Sequence, residues 1–267
     1  MMENGFESLL AWKGAVVVAW LAALFAGERL LPAAREPAGS PEVPGGRRRL
    51  ARNLALWAVN VALSPLIVLP LSLWASERSV DWRPDGWSGG AGLALDILLL
   101  DFLIYWWHRA NHRIPLLWRF HEVHHLDRFL DTTTALRFHF GEVLLSALAR
   151  AAVIMLLGFP FASVLAFEAL VLMAALFHHS NLRLDPALEA RLAGLIITPS
   201  IHWVHHHAVR RDTDSNYGTI FSFWDPLFGS KSATRRHPEM TIGVERRGEA
   251  TLPSLLMRPF VLRRPDV

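Results

Sequence analysis

Two imidazoles four residues apart occur at His108-Arg-Ala-Asn-His112. Downstream, His121-Glu-Val-His124-His125 and His202-Trp-Val-His205-His206 share one pattern, H-x-x-H-H, and His178-His179 forms a further pair. Residues three and four apart leave the same face of a helix, so each cluster can aim two or three rings into one pocket. Neighbours such as His124 and His125 diverge by about 100°, and both can still bind if two metal ions lie side by side. Cysteine is absent, which removes disulfides, iron–sulfur clusters, thiolate-bound zinc and a cysteine nucleophile. Metal must then be held by histidine, carboxylate or backbone oxygen, and all-nitrogen ligation suits zinc, copper, iron or nickel. Eight of the thirteen histidines lie in the three spaced clusters, more than one ion can hold, so two ions are implied. Structural zinc would need only four ligands. Neutral imidazole is a poor filler beside lipid, so packing does not explain the clusters. Two redox metals would supply what side chains lack, an oxidant strong enough for an unactivated C–H bond.

The elements that position these residues are membrane helices. Apolar residues make up 52% of the 267 and charged residues 19%, and mean hydropathy is +0.26. That balance fits several spans. Apolar stretches run over Leu9–Leu31, Leu54–Trp74 and Ala91–Trp107, the last ending on His108. A loop is expected over Pro32–Gly46 and a polar turn over Ser76–Gly90. Pro65 and Pro70 should kink the second span without forbidding it. Val143–Phe177 is broken by Gly158-Phe159-Pro160 and reads as a helical hairpin that leaves near Glu142 and returns at His178. Arg47, Arg48, Arg49 and Arg52 should be cytoplasmic. Counting spans from there puts every histidine cluster on that same face, in a bacterial inner membrane. The net charge of +3 is almost all arginine, beside apolar segments, and argues for anionic headgroups and not for nucleic acid.

With these segments in view, the chain resembles the fatty acid hydroxylase and sterol desaturase superfamily of membrane-bound, histidine-box di-iron oxygenases. The resemblance rests on HRANH at 108–112, WRFHEVHH at 118–125, TALRFHFGE at 134–142, HHSN at 178–181, HWVHHH at 202–207 and NYGTIFSFWDPLFGS at 216–230, in the family's order. It implies an all-α membrane bundle, here three spans plus a hairpin, with a cytoplasmic helical cap around two irons. It implies ligand roles for His108, His112, His121, His124, His125, His202, His205 and His206, with His178 at a further ligand position. Some relatives have another ligand where this chain has Ala174; His139 is the candidate substitute, and His179 is either a ligand or a support. Glu142, Asn216 and Asp225 fall in the matching segments and are expected to brace the ligands. Beyond the metal ligands no catalytic residue is expected.

The implied reaction is O2-dependent hydroxylation or desaturation of a lipid or sterol-like substrate. No haem or flavin segment is recognisable, so electrons would come from a separate donor protein, docking near Arg109, Arg113, Arg128, Arg210 and Arg211. Zinc is a possible substitute for iron in purified protein. Residues 1–90 read as N-terminal spans and loop, 91–234 as the histidine-box domain and 235–267 as a peripheral tail. Two rivals exist. His121-Glu122-x-x-His125 also fits a zinc metalloprotease, with Glu122 as base, and the histidines could serve a non-catalytic metal-binding or transport protein. The first leaves His124 and the other clusters unexplained; the second would place its site nearer the bilayer midplane.

Overall fold

A computed structural model describes residues 2–36, 46–248 and 250–261, with side chains from residue 14 onward. The middle of the expected Pro32–Gly46 loop and the last residues of the tail lie outside the described residues. The described chain is helical throughout, and its extended contacts are isolated bridges such as Ile196 with Phe221.

The described chain begins with α1 (Met2–Leu30), which, among the described residues, is not one of the helices long and apolar enough to cross a membrane. Next come α2 (Gly46–Leu63) and α3 (Leu69–Glu77), joined by a π-helical turn over Ser64–Val68. The prolines explain this turn. Pro65 and Pro70 give no backbone N–H, and each ring crowds a carbonyl one turn earlier, so the widened turn carries the helix past both. The result is one continuous candidate span over Gly46–Glu77. Then follow α4 (Gly89–Arg113), α5 (Pro115–His125), α6 (Phe140–Leu157) and α7 (Phe161–His179). Gly46–Glu77, α4, α6 and α7 are each long and apolar enough to cross a membrane. Leu66 is 73% exposed, Leu148 58% and Leu156 67%, as lipid-facing residues should be.

Gly158 ends α6 in the left-handed region at φ 67°, where a glycine carries no Cβ penalty. The expected hairpin is present but splayed. α6 lies along α3, and α7 along α1 and α4, in preference to each other. That leaves a gap between the two hairpin arms, beside α4.

The histidine end is closed by α8 (Pro186–Leu192), α9 (Pro199–His205), α10 (Arg210–Thr213), α11 (Trp224–Leu227) and α12 (Leu252–Met257). Buried polar ties fasten this cap to the spans. Asp101 of α4 accepts from the Ile220 and Phe221 amides and the Trp224 indole. Glu28 of α1 accepts from the Thr132 amide and hydroxyl and the Asn181 amide. Arg49 donates to Asp127 at 2.9 Å and also pairs with Asp131. Arg49 is only 3% exposed, so the reading of it as a membrane-surface charge is corrected: it is an internal clamp between α2 and the cap. The tail, expected to be peripheral, also lies against the cap. Leu255 is fully buried, and Arg258 donates to Glu122 of α5 at 2.7 Å.

Candidate metal centre

Proline placement sets the approach of the histidine helices. Ile114, before Pro115, is extended (φ −93°, ψ 115°), which ends α4 and lets α5 start in a new direction. Pro199 opens α9 in the same way after an extended Thr198. The turned helices bring nitrogens together in two groups. One is His108, His112, His121, His125 and His205; the other is His124, His179, His202 and His206. Within each group one nitrogen per ring lies within 4.8 Å of all the others.

Each H-x-x-H-H box serves both groups. In α5, His121 and His125 share the first group while His124 turns to the second. In and just after α9, His202 and His206 share the second while His205 turns to the first. The pairs four residues apart point together, and the ring between diverges, as helical geometry requires. The groups are adjacent, since His125 and His206 stack with centroids 4.2 Å apart.

Hydrogen bonds fix which ring nitrogen is bare. The Nδ1–H of His108 donates to the Tyr217 carbonyl (2.9 Å), that of His124 to Arg137 (3.1 Å), that of His179 to Ala175 (2.7 Å) and that of His205 to Ser215 (2.6 Å). Carbonyl oxygen only accepts, so each Nδ1 carries the proton and each Nε2 has a free lone pair. His121 Nδ1 donates likewise to Glu142 Oε1 at 2.6 Å. The Nε2 atoms of His124 and His179 nevertheless face each other at 3.1 Å. The His202 Nε2 lies 2.9 Å from that of His179 and 3.1 Å from that of His206. The lone pairs of His124 and His179, so placed, repel unless a cation lies between them. Nitrogens bound about 2.0–2.1 Å from a shared ion stand about 3 Å apart, so the donor set fits a metal. In the first group the Nε2 atoms of His112, His121, His125 and His205 are buried without a hydrogen-bond partner, the state expected of ligands.

Burial keeps these rings neutral. It pushes His124, His125, His202, His205 and His206 well below the usual histidine range, and the neighbouring imidazoles add to the effect. A neutral ring is the ligand form. The unfolded chain takes up protons near pH 6.5 while the folded one does not, so acid favours unfolding. Metal-free protein in detergent is therefore expected to lose thermal stability as pH falls below about 6.5, each ring contributing up to about 1.4 kcal/mol per pH unit. An unfolding midpoint that stays flat from pH 7 to pH 5 would contradict this.

Several residues expected at the site lie elsewhere. His139 is outside both groups. Its Nδ1 caps α6 by accepting from the Gly141 amide at 2.9 Å, and its Nε2 meets the Leu256 carbonyl at 3.0 Å. With both nitrogens engaged, it does not fill the place left by Ala174. Of the pair ending α7, His179 joins a group, whereas His178 lies against the His202 ring with centroids 4.0 Å apart. Glu142 orients His121. Asp225 of α11 accepts from the Tyr217 and Gly218 amides and so holds the segment whose carbonyl orients His108. Asn216, at φ 51°, donates to the Ile201 carbonyl of α9 and accepts from the Ser232 amide. A Cβ on Gly218 would stand 2.8 Å from the Phe221 carbonyl oxygen, so the backbone there leaves room for glycine alone. Of the arginines considered for docking, Arg210 is bonded to Asp214 and to the His112 carbonyl, and Arg109 to Tyr105 and Phe228.

Glu122 faces away from the rings. Its carboxylate pairs with Arg258 at 2.7 Å and Arg247 at 3.1 Å. A metalloprotease base would need to face the metal, so the geometry counts against that rival. Glu122→Gln is expected to leave the metal content unchanged while loosening the tail; metal analysis showing loss of an ion would reopen the protease reading.

A cavity of about 340 Å³ opens from the gap between α4, α6 and α7. Ile104, Trp107, Phe138, Val171 and Leu172 form apolar wall, and the cavity reaches His108 and His121 of one group and His124, His179 and His202 of the other.

Comparison with known proteins places this arrangement. The family model described as fatty acid hydroxylase matches residues 93–230. The chain belongs to the fatty acid hydroxylase family. An ornithine lipid hydroxylase of Rhizobium tropici is 28% identical over 198 residues, 73% of this chain and 58% of its own. An alkylglycerol monooxygenase of Danio rerio is 31% identical over 51% of this chain and 29% of its own. A cholesterol 25-hydroxylase-like protein of Danio rerio is 31% identical over 56% of this chain and 62% of its own. The chain thus spans less than two thirds of the length of these curated relatives. No solved structure matches it. The fatty acid hydroxylase match covers α4 through α11, the segments that carry both histidine groups.

Proposed function

We propose that this chain is a di-iron, O2-dependent membrane oxygenase that hydroxylates a lipid or sterol-like substrate, with electrons delivered by a separate protein. The observation that carries this reading is the apolar cavity opening among the spans and reaching both histidine groups. A soluble substrate would need no such route, and a transport site would lie between the helices, not beyond their ends. The relatives' names favour hydroxylation over desaturation.

Bound by the two groups, iron supplies activation of O2 for attack on a C–H bond. The protein supplies the rest. Trp107, Phe138, Val171 and Leu172 hold an alkyl chain against the rings and keep water out. Carbonyls of Arg137, Ala175, Ser215 and Tyr217 lock the ligand tautomers. Glu142 holds the His121 proton and raises the basicity of that ring. We place this site on the cytoplasmic face of a bacterial inner membrane, since Arg47, Arg48 and Arg52 lie at the same end of α2 as the clamp to the cap.

The test combines two readouts. Protein from iron-supplemented cells should hold two irons per chain. Lipids from cells with the protein, grown under isotopically heavy O2, should contain species heavier by one labelled oxygen. Zinc that persists despite excess iron, with no labelled lipid, would defeat the proposal.

A further inference from the structure

Arg150 lies midway along α6 and Glu168 midway along α7, both within candidate spans. Their side chains approach to 3.4 Å and are 23% and 18% exposed, so they open onto space. That space is the cavity reaching the histidines, and Arg150 also lines an adjoining hollow of about 290 Å³. Arg150 Nε is buried there with no hydrogen-bond partner. An ion pair at membrane depth is costly, and one that faces a cavity marks a site of function. A tie between the hairpin arms is a weaker explanation, because each arm already lies along another helix.

The geometry points to a subsite for the hydroxyl group of an uncharged lipid alcohol. This rests on the oxygenase reading and adds the class of substrate to it. An anion would be drawn to Arg150 but repelled by Glu168, and a cation the reverse. A hydroxyl suits both at once: it accepts from an N–H of the partly exposed Arg150 guanidinium and donates to the Glu168 carboxylate, leaving the pair neutral overall. Arg150 follows Glu142 by eight residues, and Glu168 precedes His178 by ten. At about 1.5 Å per residue the pair therefore lies roughly 12–15 Å from the histidines. The pair thus acts as a ruler: the carbon oxidised is the one about that far from the hydroxyl.

The test measures retention of radiolabelled dodecanol, dodecane and dodecanoate by iron-loaded protein in detergent, against detergent alone. Wild type should hold the alcohol about tenfold better than the alkane or the carboxylate, the scale of one hydrogen bond to a charged group. Arg150→Met combined with Glu168→Met should lose that preference. Arg150→Glu combined with Glu168→Arg keeps a donor and an acceptor in place and should retain it, which guards against a variant that fails to fold. The inference is overturned if the double methionine variant keeps the preference, if the reversed pair loses it, or if wild type prefers dodecanoate. Iron content and O2 consumption of the same samples report on the oxygenase reading separately, so either can fail while the other stands.

Discussion

His124→Ala is expected to remove one metal ion per chain and to reduce turnover to background. His124 Nε2 belongs to the four-imidazole group, its Nδ1–H is held by the Arg137 carbonyl, and its ring stacks on Phe138 at 4.4 Å. Replacing a supporting residue typically weakens metal affinity 10–100-fold, and removing a ligand should cost roughly 100-fold or more. The companion variant is His178→Ala. His178 stands outside both groups, so it should keep both ions. Metal analysis of the two purified variants checks both statements. An active His124→Ala protein with two ions would sink the ligand assignment, and loss of an ion from His178→Ala would return that residue to the centre.

Asp127→Ala should give the largest loss of stability. Asp127 is fully buried and accepts from Arg49 (2.9 Å), Asn53 (3.1 Å) and Thr134 (2.9 Å). Burial alone would raise its carboxyl, but the Arg49 and Arg137 guanidiniums outweigh it and hold it below the usual carboxylate range. Its loss leaves Arg49 to Asp131 and takes from the fully buried Arg137 the carboxylate that balances it, at a cost of about 3–5 kcal/mol. The damage should reach the metal, because the same clamp supports the 127–137 segment that orients His124. A thermal midpoint within a degree or so of wild type would contradict this.

What the sequence reveals about this centre is what one helix turn encodes. H-x-x-x-H and H-x-x-H-H point rings from a single helix, so the clusters that supply the two candidate ligand groups could be read directly. The supports could not. Four of the bracing groups are backbone carbonyls, of Arg137, Ala175, Ser215 and Tyr217, and any residue type has one. Identity also did not reveal orientation. His139 lies within a matching segment but turns to cap α6, and Glu122 sits in a protease-like spacing but faces Arg247 and Arg258. Arg49 looked like its neighbours Arg47 and Arg48; only tertiary packing distinguishes a clamp from a surface charge. Gly46–Glu77, α4, α6 and α7 were legible as spans from hydropathy and punctuation, whereas the expected first span over Leu9–Leu31 is a helix that is not among the candidate spans of the described residues. That the hairpin arms part to leave a cavity was not legible, since apolar runs do not say which helix they will lie along. Arg150 and Glu168 carried a signal that could have been read, as charges inside an otherwise apolar run.

The division of each H-x-x-H-H box between two groups has a consequence for assembly. An ion held by the first group immobilises α5 and α9, and these two helices also present His124, His202 and His206 to the second. Much of the ordering cost for the second ion has then already been met, so loading should be cooperative. In the intact protein the one-ion form should then be scarce during loading, and only a broken group, as in His124→Ala, should trap it.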